Sequence, residues 1–325
     1  MRLTLLHQHI PPHAPPDEQD TLTQARWLAG LLEAQGHRTR LLAVDLDLGA
    51  LERELKADPP DVVVNLVESL GGSGRLCHLP PAVVERLGLP MTGCSSEALH
   101  ITAHKPRAKG LLVRGGLPTP PWFSHPGGET SWAGPWLVKP AAEDASMGIG
   151  PDSVTADLTQ AQALLARQTQ QQGGEWFAEA YIDGREFNLS VLEGPQGPQV
   201  LPPAEILFTD WPAGRPRIVD YQAKWEPDSH AFHHTPRRFS REDAEAPLGA
   251  RLEALALSCW DLFGLGGYAR VDLRVDAQGH PWVLEINANP CLSEDAGFMA
   301  AALEGGFTPA QVMAQLIDTA KRPVR

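Results

Sequence analysis

The amino-acid sequence predicts an α/β chain: a parallel sheet covered by helices at the start, then smaller mixed units, then an antiparallel hairpin near the end. Two patterns carry this reading. The first ninety residues alternate strand and helix signals, and "YARVDLRVDAQGHPWVLEIN" (residues 268–287) alternates apolar and polar residues on both sides of a turn. Length sets the frame, since 325 residues suggest two or three units of ordinary domain size.

Taken in order, "RLTLLH" (2–7) reads as a strand. The following helix carries Leu22, Ala25, Leu28, Leu31 and Leu32 at helical spacing and stops at Gly36. "RTRLLAVD" and "DVVVNLVE" read as further strands, separated by a short helix over "LGALERELKA", and "LGLPMTG" closes this unit near Gly93. A helix over "PRAKGLLVRGG" follows, then a proline break, the strand "PWLVKP", a polar loop "AAEDASMGIGPDS", the helix "DLTQAQALLARQTQ" and the strand "EWFAEAYI". From about Asp183 a third unit opens with the strand "GREFNLSVLEG". Residues 208–239 hold four prolines but also "IVDYQAKW", which favours an ordered lid over a disordered loop. Two helices, "LGARLEALALSCWDLF" and "TPAQVMAQLIDTAK", flank the hairpin, the second capped by Thr308 with Pro309 in its first turn.

Composition is ordinary globular, with 42% hydrophobic and 21% charged residues. A net charge of −13 argues against nucleic acid or an anionic membrane as the main partner, while leaving room for a local basic pocket. Cys77, Cys94, Cys259 and Cys291 are scattered, which fits a reduced, cytoplasmic protein. The N-terminal residues do not read as a signal peptide, and no apolar run approaches membrane-spanning length. His7, His9 and His13 lie in a proline-rich stretch and read more simply as loop histidines than as metal ligands.

The hairpin raises a specific question. With Gln278–Gly279 as a two-residue turn, Val271 opposes Ile286, Leu273 opposes Leu284 and Val275 opposes Trp282, giving one apolar face. On the other face Asp272 opposes Glu285 and Arg270 opposes Asn287. Directly opposed like charges destabilise a sheet unless something compensates. Arg270 and Arg274 on a solvated face could do so; a divalent cation is the alternative. Two carboxylates and an amide oxygen are hard ligands suited to Mg²⁺, with Mn²⁺ as a substitute, and Asn287 favours the cation. The chain has no phosphate-binding G-x-x-x-x-G-K-[ST] loop and no strand-linked G-x-G-x-x-G. Three lysines stand in suggestive places instead: Lys105 before Pro106, Lys139 at the end of "WLVK", and Lys224 in the lid.

Together the blocks "LGLPMTG", "GLPTPPW", "LVKP", "AEAYIDGREF", "YQAKW" and "GYARVDLRVDAQGHPWVLEINANPCLS" resemble, in order and spacing, the ATP-grasp superfamily and within it the D-alanine–D-alanine ligase family. The resemblance runs from about Leu89 to the C-terminus. It implies an ATP-grasp fold, with a Rossmann-like N-terminal domain (1–93), a central subdomain (94–182) and a C-terminal subdomain with lid and metal site (183–325). It implies ATP and Mg²⁺ as cofactors and small amino-acid-like carboxylate and amine substrates, and it leaves a homodimer open. On the resemblance, Lys105 and Lys139 bind phosphate. Glu179, Ala180, Tyr181 and Ile182 form the hinge that meets the adenine, and Glu186 binds the ribose. Ser146 and Gly148 belong to the loop over the phosphates, and Lys224 reaches the terminal phosphate. Asp272, Glu285 and Asn287 hold the metal. Arg270, Lys224 and Ser146 are the catalytic candidates.

Departures cluster at the substrate positions. "HQHIPPHAPPDEQD" stands where the family has a glycine- and serine-rich turn with a glutamate, for which Glu18 is the candidate, and "NLVESLGGSGR" replaces a histidine–glycine motif. The family's loop serine is Ala145, its lid tyrosine is Trp225, and a serine and leucine at the acceptor carboxylate are Ala296 and Gly297. Glu68, Ser69 and Ser293 are further substrate candidates, the first two because ligands sit beyond the C-terminal ends of parallel strands. The expectation is therefore an ATP-dependent ligase joining a different carboxylate to a different amine. A non-catalytic ATP-binding protein and a kinase that stops at phosphorylation are the alternatives.

Overall fold

A computed structural model describes residues 1–125, 127–128, 130–143, 146–240 and 245–321. Ala145 lies outside them. The first sheet is parallel, built from β1 (Arg2–Gln8), β2 (Arg38–Val44) and β3 (Val62–Asn65) in the order β2-β1-β3. The helices α1 (Pro16–Ala34) and α2 (Leu48–Ala57) are the crossovers. Unbroken burial from Leu3 to Gln8 fits β1's place at the centre, with Leu3, Leu5 and Leu6 buried on its two faces. Helix α1 starts at Pro16, earlier than the periodicity suggested, because Pro15 is extended and Pro16 fits the first helical turn. His7 is a core residue of β1 whose Nδ1 meets the Gln8 carbonyl, and no cluster of metal-binding side chains forms among the described residues. Helices α3 (Leu79–Arg86) and α4 (Ser96–Thr102), not foreseen, lead to α5 (Lys105–Arg114).

The second sheet is antiparallel, in the order β4-β7-β5-β6, from β4 (Trp122–Phe123), β5 (Trp136–Pro140), β6 (Val154–Thr155) and β7 (Trp176–Ala180). Strand alternation sends Trp136 and Val138 into a core with Leu164 and Leu165 of α6 (Leu158–Gln172). Leu137, Lys139 and Glu179 turn to the other face.

The third sheet runs β11-β10-β8-β12-β13, with β9 (Gly197–Val200) also paired to β8 (Gly184–Gly194). Strand β10 (Ala204–Ile206) leads into the lid, which contains α7 (Tyr221–Trp225) and α8 (His230–His233) and returns as β11 (Arg237–Phe239). The stretch expected to form the lid carries two short helices and a strand. Buried Asp220 caps α7 through Ala223 N–H at 3.0 Å and takes Arg215 Nη2 at 3.1 Å. Its base is tied by Leu207 N–H to Pro236 O and Thr209 N–H to His234 O, both at 3.0 Å. Helix α9 (Ala246–Phe263) packs Leu252, Ala256 and Trp260 against β8, β12 (Tyr268–Asp276) and β13 (Pro281–Asn287). Helices α10 (Gly297–Glu304) and α11 (Pro309–Ala320) cover the opposite face with Phe298, Met299 and Leu316.

The hairpin register corrects the sequence reading in half its length. Asp276 N–H donates to His280 O at 3.0 Å, so the turn has three residues, Ala277 to Gly279, with Gly279 at φ +80. Such a turn needs a left-handed residue, which glycine supplies. Pairing near the turn is consequently shifted: Leu273 opposes Val283, Arg274 opposes Trp282 and Val275 opposes Pro281. A bulge between Asp272 and Leu273 leaves Leu284 over and restores the expected pairs Asp272 with Glu285 and Arg270 with Asn287. No helix among the described residues is long and apolar enough to cross a membrane.

Candidate active site

A cleft of about 560 Å³ lies between the second and third sheets and the C-terminal end of the first. Alternation along β12 delivers Arg270, Asp272 and Arg274 to one wall, and β13 adds Glu285 and Asn287. The bulge turns Leu284 into the cleft lining, which Leu137 also joins. Asp272 is 8% exposed and accepts Arg270 Nε and Nη2 at 2.7 and 2.8 Å and Asn188 Nδ2 at 2.8 Å. Burial raises Asp272 above the usual carboxylate range; Arg270 opposes the rise and Glu285 adds to it. Glu285 goes the other way. Burial disfavours its anion, but Lys105, Lys139, Lys224 and Arg270 outweigh this and hold its pKa down to about 2. Asn287 Oδ1 accepts the Asn289 N–H at 2.9 Å.

Lysines form the opposite pole. Lys105 begins α5, where His104 caps the helix by accepting Arg107 N–H on Nδ1. That role leaves Nε2 to donate to Glu175 at 2.6 Å. Lys105 Nζ donates to Glu143 O at 2.7 Å and lies 3.5 Å from Glu285 Oε2, though Lys105 does not itself line the cleft. Lys139 Nζ is 2.6 Å from Glu179 Oε1. Lys109, which the sequence reading passed over, is 2.8 Å from Glu179 Oε2 and is 1% exposed. Burial lowers the Lys109 pKa to about 8 against the pull of Glu179. For Glu179 burial works upward, yet Lys109 and Lys139 keep it below the usual glutamate range. Lys109 also donates to Thr119 Oγ1 at 2.7 Å, and Thr119 donates to Val283 O, the residue before Leu284, at 2.7 Å. A lysine one helical turn after Lys105 was the available signal.

Ala180, Tyr181 and Ile182, expected to form the hinge, line the cleft beside Glu179. Glu186 does so too, aimed by Arg274 Nη2 at 2.7 Å, while Arg274 Nη1 holds Ile182 O at 2.8 Å. The Tyr181 hydroxyl accepts Arg217 N–H at 3.0 Å, and Arg274 also donates to Arg217 O, so the hinge and the lid share one junction. Ser146 stands at φ +61 and its hydroxyl donates to Val219 O of the lid at 2.7 Å. Gly148, at φ +69, lies off the cleft lining; a Cβ there would meet Trp176 Cη2 at 2.8 Å. Lys224 and Trp225 of α7 reach the cleft from the lid.

Of the substrate candidates, Glu68, Ser293, Ala296 and Gly297 line the cleft with Trp225. Glu18 and Ser69 do not. The structure brings Asp20 into the lining instead, two residues beyond Glu18, together with Cys291, Asp295 and Arg237. Cys291 Sγ contacts Asp20 Oδ2 at 3.3 Å and Ser293 Oγ at 3.2 Å.

Against known proteins, residues 127–318 match the family model described as the D-ala D-ala ligase C-terminus. A protein named D-alanine–D-alanine ligase from Synechococcus sp. (strain JA-3-3Ab) is 31% identical over 313 residues, covering 94% of this chain and 90% of its own. This chain belongs to the D-alanine–D-alanine ligase family. An uncharacterised protein of Sinorhizobium fredii is 32% identical over 299 residues, covering 90% of this chain and 85% of its own. The D-alanine–D-alanine ligase of Bacillus anthracis superposes with a TM-score of 0.75 at 21% identity, over 98% of this chain and 97% of its own. A structure of that enzyme complexed with ATP gives 0.74. The fold is accordingly the ATP-grasp fold of these ligases, a family of ADP-forming ligases that make C–N bonds.

Proposed function

We propose that this member of the D-alanine–D-alanine ligase family is an ATP- and Mg²⁺-dependent carboxylate–amine ligase acting through an acyl phosphate, on substrates other than two D-alanines. One observation carries the reading: Arg270, Asp272, Glu285 and Asn287 converge from paired strands on a cleft that Lys139 and Lys224 also line, with Lys105 beside Glu285. The residues fit the ion. Asp272, Glu285 and Asn287 offer hard oxygens from adjacent strands, a small set of the kind magnesium takes alongside substrate phosphates. Bound there, Mg²⁺ would neutralise charge on those phosphates.

The chemistry divides among this chain's own groups. Lys105, Lys139 and Lys224 hold the phosphates and offset their charge while a substrate carboxylate oxygen attacks the terminal phosphorus and ADP leaves. The amine nitrogen then attacks the acyl carbon, phosphate departs, and the nitrogen loses its proton. Arg270, oriented by two hydrogen bonds to Asp272, stabilises the oxyanion of that step. The Glu179–Ile182 edge receives the adenine between Leu137 and Leu284, and Glu186 takes the ribose. The bond from Ser146 to Val219 links the phosphate loop to the lid, and a closed lid keeps water from the acyl phosphate. Loss of the serine and leucine at Ala296 and Gly297, and Trp225 in the lid, supports substrates unlike paired D-alanines.

The test is ADP and phosphate release with ATP, Mg²⁺ and pooled amino acids, followed by mass spectrometry of the product. Amine-dependent ADP release and an amide product are expected, with D-alanine alone a poor substrate. ADP release with a phosphorylated product and no amine incorporation would move the reading to a kinase. Silence with every pool would remove it.

A further inference from the structure

The cleft lining carries charges of both signs near Ala296 and Gly297: Asp20, Glu68 and Asp295 are acidic, Arg237 and Arg270 basic. Arg237 pairs with Ile206 across β10 and β11, and both line the cleft, whereas Arg238 turns to the opposite face to hold Glu205 at 2.5 Å. Arg237 Nη2 donates to the Asp295 backbone oxygen at 3.1 Å, and no other acceptor among the described residues takes the rest of its guanidinium. Arg270 differs, since two of its N–H groups already serve Asp272. Burial and the Arg270 charge both work against the Arg237 cation, with only Asp295 in its favour, so an arriving anion would relieve the site. The space beside it is open. A Cβ on Gly297 would lie 3.9 Å from Arg237 Nε, and Ala296 offers no hydroxyl to an anion there.

We propose that Arg237 selects the amine substrate by holding a carboxylate that this substrate carries. The inference rests on the ligase reading and adds a residue to it: with Ala296 and Gly297 where the related ligases meet the acceptor carboxylate with a serine and a leucine, that role passes to Arg237. A guanidinium fork suits a carboxylate through two parallel hydrogen bonds, a geometry that an amide cannot match. Arg237 is also the first residue of the strand to which the lid returns. Carboxylate capture and lid closure therefore meet on one strand.

The experiment measures amine-dependent ADP release for the amino acids the parent accepts. Each is compared with its α-carboxamide and, for dicarboxylic members, with its side-chain amide. The parent is expected to prefer one free carboxylate by about 100-fold in kcat/KM, since a site built to bond a group rejects analogues lacking it. The arm that loses activity identifies which carboxylate is read. Arg237→Gln should erase most of this preference by raising the KM of the free amino acid, with the KM of ATP moving less than about twofold, and Arg237→Lys should restore part of it. A Glu285→Gln control should lose turnover with every amine. An active parent whose Arg237→Gln variant keeps the preference overturns the role of Arg237 alone. A parent active with no amine overturns the ligase reading first, and this one with it.

Discussion

Glu285→Gln removes one negative charge and leaves the shape of the site intact, so its effects separate electrostatics from packing. Viewed on the hairpin alone, the change relieves repulsion from Asp272 and should be neutral or stabilising. The surroundings reverse that sign. Lys105, Lys139, Lys224 and Arg270 hold the Glu285 pKa at about 2, against an ordinary 4.5. That displacement corresponds to about 3 kcal/mol in favour of the anion, an upper figure because relief at Asp272 returns part of it. A depressed folded-state pKa stabilises above the unfolded value and is lost as pH falls through the folded one. Parent and variant, both without metal or nucleotide, should therefore differ most above about pH 5. The gap should close as the pH falls from 4.5 towards about 2. Urea denaturation at several pH values reads the stability, and ADP release at neutral pH reads the activity, which should fall by at least about 100-fold. A variant as stable as the parent at pH 7 would refute the electrostatic argument. An active variant with the parent's magnesium dependence would remove Glu285 from the proposed metal site.

Three further substitutions have expected outcomes. Lys109→Met leaves Glu179 with a single cation in a buried site, so it should destabilise by about 3 kcal/mol in urea melts and raise the KM of ATP. Because the Lys109 pKa falls from 10.5 to about 8, the parent should gain stability as pH rises between those values, and the methionine variant should lose that slope. Ser146→Ala breaks the bond to Val219, so protease should cut the lid faster and kcat should drop by about tenfold, with thermal stability little changed. Gly184→Ala places a Cβ 2.0 Å from the Val275 carbonyl and should cost more than about 2 kcal/mol by prising β8 from β12, measurable as a lower melting temperature.

Local pattern made the hairpin face and the first parallel sheet legible, because each is written in alternation, periodicity or a cap within a few residues. Asp272, Glu285, Asn287 and Arg270 were found this way. What escaped depends on distant chain. The three-residue turn needed Gly279 to be left-handed, and the bulge at Leu284 compensates for it; either alone would have turned Glu285 from Asp272. Lys109 reads as an unremarkable helix lysine until Glu179, many residues later, is folded onto it. With α1 beginning at Pro16 both Glu18 and Asp20 are helical, and two residues apart on a helix they face different sides, so Asp20 lines the cleft and Glu18 does not. Arg237 sat inside a proline-rich stretch whose last residues only tertiary pairing reveals as an edge strand.

The tie at the base of the lid has a consequence for variation. Leu207 bonds Pro236 and Thr209 bonds His234, so the lid leaves and re-enters the sheet through neighbouring strands. Its two ends stay together whatever lies between them. Loop-closure entropy grows slowly with length, and doubling such a segment costs only about 0.6 kcal/mol. Insertions, deletions and new side chains can therefore accumulate there without disturbing the strands that carry Asp272 and Glu285, so this chain can change what it accepts while keeping what it does.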